Sequence, residues 1–350
     1  MAQPIIENKT GMAFETLYLS DENGHQMLVA IVKATFELRD RSDLILAEEQ
    51  IPVNLDGEYW GEPGESSWKY EPEGAFVKNT ADVILIGSAC SPYAGATQVD
   101  VALRVGRISK DVRVFGDRRW MRTLGMVSMT QPEPFERIPL TFERAFGGRE
   151  PATGDGGLPK LCAANPVGTG FVSSWKHLED GLSLPNLEDP RDPIHACTDH
   201  PEPAAFGYVS PGWQPRASLA GTYDDAWLKD RMPLLPLDFD RRFFNSASKG
   251  MVCTGFLRGD EPVWIENVSP GGVVAFDLPR LAPPKCVIET MGGGSANLSM
   301  ELDTLIVNTD DNLVFLIWRG HTPLEHGPFD VHSIRAAMST NQIEARLAHV

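Results

Sequence analysis

The chain has 350 residues, 42% apolar and 23% charged, a balance that excludes disorder as its main state. Its 32 glycines and 27 prolines follow no fixed period, which excludes collagen and long helical bundles. With 31 basic against 48 acidic residues the net charge is −17, so a polyanion such as nucleic acid meets repulsion and is a poor partner.

Met1–Gly11 contain Glu7 and Asn8 and lack the basic-then-apolar run of a signal peptide, so the expectation is a cytoplasmic protein. Phe14–Leu19 and Met27–Leu38 flank Asp21-Glu22-Asn23-Gly24, where Asn-Gly predicts a hairpin closed by a type I′ turn. In the second of these strands Lys33, Thr35 and Glu37 alternate with Val32, Ala34, Phe36 and Leu38, which predicts one wet face and one core face. Strands are further predicted at Asp82–Ser88, Val99–Val105, Lys110–Gly116 and Arg137–Ala145, in the rhythm of a sandwich or barrel.

From Gly147 to near Asp240 proline, glycine, aspartate and tryptophan crowd out any period. Phe171, Trp175, Phe206, Trp213, Tyr223 and Trp227 nevertheless need burial, so this segment is expected to be ordered and irregular. Strand patterns return at Pro262–Val268, Gly272–Leu278, Leu302–Asn308 and Asn312–Arg319. The last two are nearly continuous apolar runs on either side of Asp310-Asp311-Asn312, which predicts a hairpin buried on both faces. Ser333–Leu347 reads as a short C-terminal helix with Ser333 as its N-cap. No apolar run approaches the length of a membrane span, so no membrane is expected as partner. The predicted fold is mainly β, with antiparallel sandwich or barrel-like sheets, a long ordered irregular Pro/Gly/Trp-rich segment and a terminal helix. Regions 1–146, 147–245 and 246–350 are expected to pack as one unit.

Chemistry is sparse. Cys90, Cys162, Cys197, Cys253 and Cys286 are far apart with no CxxC pair, the usage of a reducing compartment. There is no G-x-S-x-G elbow, no phosphate loop, no G-x-G-x-x-G and no H-E-x-x-H. His195, Cys197, Asp199 and His200 are metal-ligand types, but they stand too close together for a closed tetrahedral site. His321, His326 and His332 read as a solvated loop. Asp224 and Asp225 near Trp227, and Asp238 and Asp240 around Phe239, offer the carboxylate pairs of a glycoside hydrolase. With Arg241 and Arg242 adjacent, the second pair equally builds an ion-paired corner. Arg118, Arg119 and Trp120 suit either a guanidinium on an indole or arginines paired with Asp117. Gly292-Gly293-Gly294 reads as a loop tip, and no cofactor is expected.

The chain carries Val32-Lys33-Ala34-Thr35-Phe36, Gly116-Asp117-Arg118-Arg119-Trp120 and Pro139-Leu140-Thr141-Phe142-Glu143-Arg144-Ala145-Phe146-Gly147-Gly148 in this order. Asn165-Pro166-Val167-Gly168-Thr169-Gly170-Phe171, Leu184-Pro185-Asn186-Leu187-Glu188 and Phe206-Gly207 follow, then Trp213-Gln214-Pro215-Arg216. Gly221-Thr222-Tyr223-Asp224-Asp225-Ala226-Trp227 and Pro236-Leu237-Asp238-Phe239-Asp240-Arg241-Arg242-Phe243-Phe244-Asn245 complete the series. Over residues 8 to 280 this resembles domain of unknown function 2169 (DUF2169).

The resemblance implies an accessory protein of the bacterial type VI secretion system. Such a protein is an adaptor or chaperone that helps load a secreted effector onto the spike, with a PAAR-like tip protein or a pentapeptide-repeat protein as companion. It implies no catalytic residues. On this expectation the segment from Gly147 to Asn245 contacts the partner, with Trp175, Trp213, Tyr223 and Trp227 as anchors, or else those aromatics pack the loops onto the scaffold. The rival expectations are a glycan or peptidoglycan hydrolase using Asp224, Asp225, Asp238 and Asp240, and a structural piece of the spike.

Overall fold

The computed structural model describes residues 4–150 and 160–338. The chain enters with β1 (Ile5–Lys9) and folds the expected hairpin from β2 (Ala13–Ser20) and β3 (Gln26–Arg39), paired antiparallel from Ala13 opposite Lys33 to Ser20 opposite Gln26. The turn differs from the sequence expectation. Only Gly24 has a left-handed φ, +85°, and Asp21 Oδ1 accepts the amides of Asn23 and His25, each at 2.8 Å. The aspartate side chain organises a longer loop, so no second left-handed residue is needed.

After β4 (Asp43–Leu46) come two short strands, β5 (Glu58–Tyr59) and β6 (Trp68–Tyr70), then β7 (Asp82–Ile86), β8 (Ser88–Cys90), β9 (Gln98–Val105) and β10 (Ile108–Phe115). A separate ribbon, β11 (Trp120–Thr123) with β12 (Met126–Met129), precedes β13 (Arg137–Pro139). The strand expected to run to Ala145 stops at Pro139, and Phe142–Arg144 form a 3-10 turn. Among its described residues the irregular segment holds only β14 (Phe146–Gly147), β15 (Thr169–Gly170), β16 (Leu187–Glu188), the short helix α1 (Asp225–Asp230) and a few 3-10 turns. Regular strands resume with β17 (Pro262–Glu266), β18 (Val273–Asp277), β19 (Lys285–Thr290), β20 (Ser295–Leu298), β21 (Glu301–Asn308), β22 (Leu313–Pro323) and β23 (Val331–Ala337).

Among the described residues, three larger open sheets result, with four two-stranded ones beside them. The first runs β2-β3-β22-β21-β7 with β4 also on β3, the second β16-β10-β9-β17-β18, the third β1-β23-β19-β20. Most pairs are antiparallel, but β7 lies parallel to β21 and β1 parallel to β23. Strands from both ends of the chain therefore share two of the sheets. Each sheet is an open ladder, and among the described residues none closes into a barrel.

The continuous apolar runs of β21 and β22 are buried on both faces, as their composition requires. The alternation in β3 misleads, because its polar face is covered as well. Lys33 and Thr35 are buried; Lys33 Nζ donates to Glu73 Oε1 at 2.7 Å and Pro52 O at 3.2 Å, and Thr35 Oγ1 accepts the Ile51 amide. The cover comes from residues 47–73, folded back over the sheet.

The C-terminal helix is corrected in its described part. Ser333 is buried in β23, which is hydrogen-bonded to β1 on one side and β19 on the other, and residues 339–347 lie outside the described residues. A segment flanked by two strands has its backbone groups taken by the ladders and cannot close helical turns. Gly292-Gly293-Gly294 form the tip of the β19–β20 hairpin as expected, with the Thr290 amide bonded to Gly294 O at 2.9 Å. His321 and His332 lie on β22 and β23, and only His326 occupies a turn.

One large apolar core joins the first two sheets and reaches Ile288, Leu298 and Ile334 of the third. A second, smaller core gathers Trp120, Phe146, Val172, Leu178, Leu184, Ile194 and Cys197 under the irregular segment. No helix among the described residues is long and apolar enough to cross a membrane.

Candidate interaction surface

The four sequence-predicted anchors fall in different settings. Trp213 is 8% exposed and meets Phe142 edge-on with ring centroids 5.3 Å apart, so it fastens a loop to the core. Trp227 is half-buried on α1, which Asp224 caps by accepting the Trp227 amide at 2.8 Å. Its Nε1 donates to Leu234 O at 2.8 Å, and its ring meets the exposed Tyr223 edge-on at 4.7 Å. This pair sits beside the β2–β3 turn, since Arg231 of the same segment donates to Glu22 O. Trp175 is 54% exposed at the start of the 3-10 turn Trp175–His177. No ring contact among the described residues joins it to the other three.

The β11–β12 ribbon carries more exposed apolar surface than the sequence suggested. Its base is held firmly: Trp120 is in the smaller core, the Arg122 amide donates to Asp180 Oδ1 at 2.7 Å, and Arg122 Nη1 donates to Leu178 O at 3.0 Å. Thr123 pairs with Met126, leaving a two-residue turn at Leu124 (φ +50°) and Gly125 (φ +84°). Two left-handed residues make a type I′ turn, in which glycine is unstrained but leucine costs about 1 kcal/mol or more. Leu124 is 97% exposed, so no packing among the described residues offsets that cost. Met126 at 68%, Met121 at 44% and Val127 are exposed beside it. Trp175 stands three residues before Leu178, the residue that grips the ribbon's base. Unbranched methionines flanking an exposed leucine make an adaptable apolar contact surface.

A groove of about 710 Å³ runs between residues 202–219 and 242–253, with Phe142, Val209, Leu219 and Val252 among its apolar walls. Its two sides are tied by Lys110, whose Nζ donates to Ala205 O at 2.5 Å, Lys249 O at 2.8 Å and Ser248 Oγ at 2.9 Å. Burial pushes this ammonium down to about 7. A lysine beside a serine has the composition of a base and its nucleophile. Here all three ammonium protons have acceptors and Ser248 Oγ donates to Ala205 O at 2.7 Å, so the pair is arranged as a clamp. The Cys253 thiol on the same groove is pushed up to about 11 by burial, which keeps it protonated and unreactive.

The metal-type residues diverge. Asp199 Oδ2 accepts the amides of Ala196 and His195, which lower its pKa, while Cys197 is buried in the smaller core. His200 packs on Phe146 and Phe171, with Nε2 2.7 Å from Val172 O. Among the described residues no group of three His, Cys, Asp or Glu is placed to hold a metal.

The ion-paired corner forms in part: Asp240 pairs with Arg242, but Arg241 pairs with Glu22 and Asp238 is in no ion pair among the described residues. Asp238 accepts the Thr222 amide and hydroxyl, and Asp240 pairs with Arg242 at 2.5 Å; both carboxyls are held below their ordinary range by these bonds. A general acid needs the opposite shift. Neither reading of Arg118 holds. Its guanidinium stacks on Phe115 at 3.9 Å and bonds buried Glu188, while Asp117 accepts Asn186 Nδ2 at 3.0 Å.

The recurring motifs bond to one another. Asn165, fully buried, donates through Nδ2 to Phe142 O and Phe146 O, and a Cβ on Gly147 would meet Asn165 O at 2.2 Å. Asn186 Nδ2 reaches Phe115 O, Arg216 bonds Val209 O, Phe243 O and Glu71, and Asn245 Nδ2 reaches Thr80 O and Asp82 Oδ1. These residues hold the irregular segment in place. The ribbon overlaps the motifs only at its buried first residue, Trp120; its exposed residues lie outside all of them.

A family model for uncharacterized proteins conserved in bacteria, DUF2169, matches residues 23–319, and the chain belongs to that family. No curated protein and no solved structure matches it.

Proposed function

We propose that the chain is a non-enzymatic adaptor or chaperone that binds a secreted effector of a type VI secretion system, or its PAAR-like carrier, and assists its loading onto the spike. The observation that carries this reading is the β11–β12 ribbon. A leucine held in a backbone region that suits glycine and asparagine, almost wholly exposed, carries a stability cost that an intermolecular contact would offset. The flanking methionines and Trp175 widen the apolar area, and the 710 Å³ groove offers a second, concave one.

The test is affinity capture from cells expressing the surrounding gene cluster, followed by mass spectrometry and by repetition with Asp238→Asn and Asp240→Asn. The adaptor reading expects one effector or spike-tip protein to be retained in both cases, with no turnover of cell-wall fragments. Release of fragments that stops in the aspartate variants would establish the hydrolase instead. Recovery of the chain in culture supernatant together with the spike would make it a spike component.

A further inference from the structure

The first sheet has two outer edges, β2 and β7, and the fold treats them differently. β7 is covered: the amides of Val83 and Leu85 donate to Met251 O at 3.0 Å and to Phe206 O at 3.3 Å, so loops of the chain run along that edge. β2 pairs only with β3. The register fixes which of its backbone groups are left over. The Leu38 amide donates to Asn312 O and Gln26 O accepts the Leu324 amide, so the even-numbered residues of β3 face β22 and the odd-numbered ones face β2. Those odd-numbered residues stand opposite Ala13, Glu15, Leu17 and Leu19. The backbone groups of Phe14, Thr16, Tyr18 and Ser20 therefore point away from the sheet.

One of these groups is occupied: the Thr16 amide donates to Glu15 Oε1 at 2.9 Å. Among the described residues nothing bonds the amides of Phe14, Tyr18 and Ser20 or the outward carbonyls, and every residue of β2 keeps some exposure, so these groups face solvent. Natural sheet edges are blunted by lysine, proline or a bulge. β2 has no lysine or proline, and its eight residues pair with β3 without a register shift. Such an edge accepts a further strand. Its side chains specify what that strand carries. Glu15 is the one charged residue of β2 and has no ion pair among the described residues. An antiparallel neighbour lays one residue across from Glu15 in a non-hydrogen-bonded pair, the closer kind, with Leu17 and Leu19 on the same face. We propose that β2 takes up an extended antiparallel segment of another protein, with a lysine or arginine across from Glu15 and β-branched apolar residues across from Leu17 and Leu19. The incoming backbone takes over the Thr16 amide, and the freed Glu15 carboxylate pairs with the cation. This edge and the β11–β12 ribbon belong to different sheets, and the proposal does not depend on the adaptor reading.

The probe is the capped peptide acetyl-Thr-Val-Thr-Val-Thr-Lys-Thr-amide, which sets lysine across from Glu15 and valine across from Leu17 and Leu19. One comparator carries glutamate in place of the lysine, and another carries methyl groups on the threonine amides that would enter the ladder. Titrated into the full chain by calorimetry, the lysine peptide should bind at about 1 mM or tighter. The glutamate peptide should bind about fivefold more weakly, and the methylated one should not bind. Glu15→Lys should invert the preference between lysine and glutamate. In the wild-type chain, where no variant has to fold, bound peptide should slow NMR hydrogen exchange at Phe14, Tyr18 and Ser20. Leu17 and Leu19, whose amides already lie in the ladder with β3, should be unaffected.

The proposal is overturned by equal affinity for the lysine and glutamate peptides, by a methylated peptide that binds as well as its parent, or by unslowed exchange at Phe14, Tyr18 and Ser20 at saturation. It is also overturned if the free chain self-associates with those amides protected, which would give the edge to a second copy.

Discussion

Leu124 joins two facts that rarely coincide, a left-handed backbone and almost complete exposure. Asparagine suits the first position of a type I′ turn, so Leu124→Asn should raise stability in urea by about 1 kcal/mol. A lower urea midpoint would mean that the leucine is packed in the free protein. Lys110 makes a prediction in pH. Its ammonium loses its proton near 7 in the folded chain but only near 10.4 in a model peptide, so between these values the unfolded state binds more protons. Stability should therefore rise with pH across this window, at up to about 1.4 kcal/mol per unit, and the slope should be absent in Lys110→Met. Urea titrations between pH 6.5 and pH 9.5, roughly bracketing the lower half of the window, measure it. Equal slopes in both proteins would show that Lys110 keeps its charge throughout.

Between elements the irregular segment is latched by side chains. Asp82, fully buried at the start of β7, accepts Lys78 Nζ at 2.7 Å, the Ser246 amide at 3.0 Å and Asn245 Nδ2 at 3.1 Å. Asp82→Ala would leave Lys78 unpaired and free one wall of the groove, at about 3–5 kcal/mol. Hydrogen exchange at residues 245–253 should quicken most; uniform quickening across β21 and β22 would instead mean global loosening. The sequence shows Asp82 only as the edge of an apolar run, because its partners stand 4 and more than 160 residues away. The β21–β22 hairpin was legible because double burial writes itself as an unbroken apolar run. The wet face predicted for β3 failed because the cover over Lys33 and Thr35 is supplied by a distant loop, which no local period records. The β11–β12 ribbon left no signal: Leu-Gly is not a turn dipeptide, and a strand whose apolar residues face outward breaks the pattern by which strands are read.

Across the molecule, β3 beside β22 and β1 beside β23 join the two ends of the chain, so the sheets complete themselves only after the last strand is made. On this scaffold the quoted motifs hold loops in position, and the ribbon is one of several places, with Leu237, Phe329 and Tyr93, where large apolar side chains are exposed among the described residues. Of the four aromatics first suggested as anchors, Trp175 opens the 3-10 turn that leads to Leu178, whose carbonyl the ribbon's Arg122 grips, while Trp213 serves the core. The proposed function puts partner binding at the ribbon tip. Its most direct measurement is calorimetric titration of the captured partner into the wild-type chain and into the triple variant Met121→Ser, Leu124→Ser, Met126→Ser. At least about a tenfold loss of affinity is expected, with an unfolding midpoint no lower than that of the wild type. Unchanged affinity in the variant would contradict it.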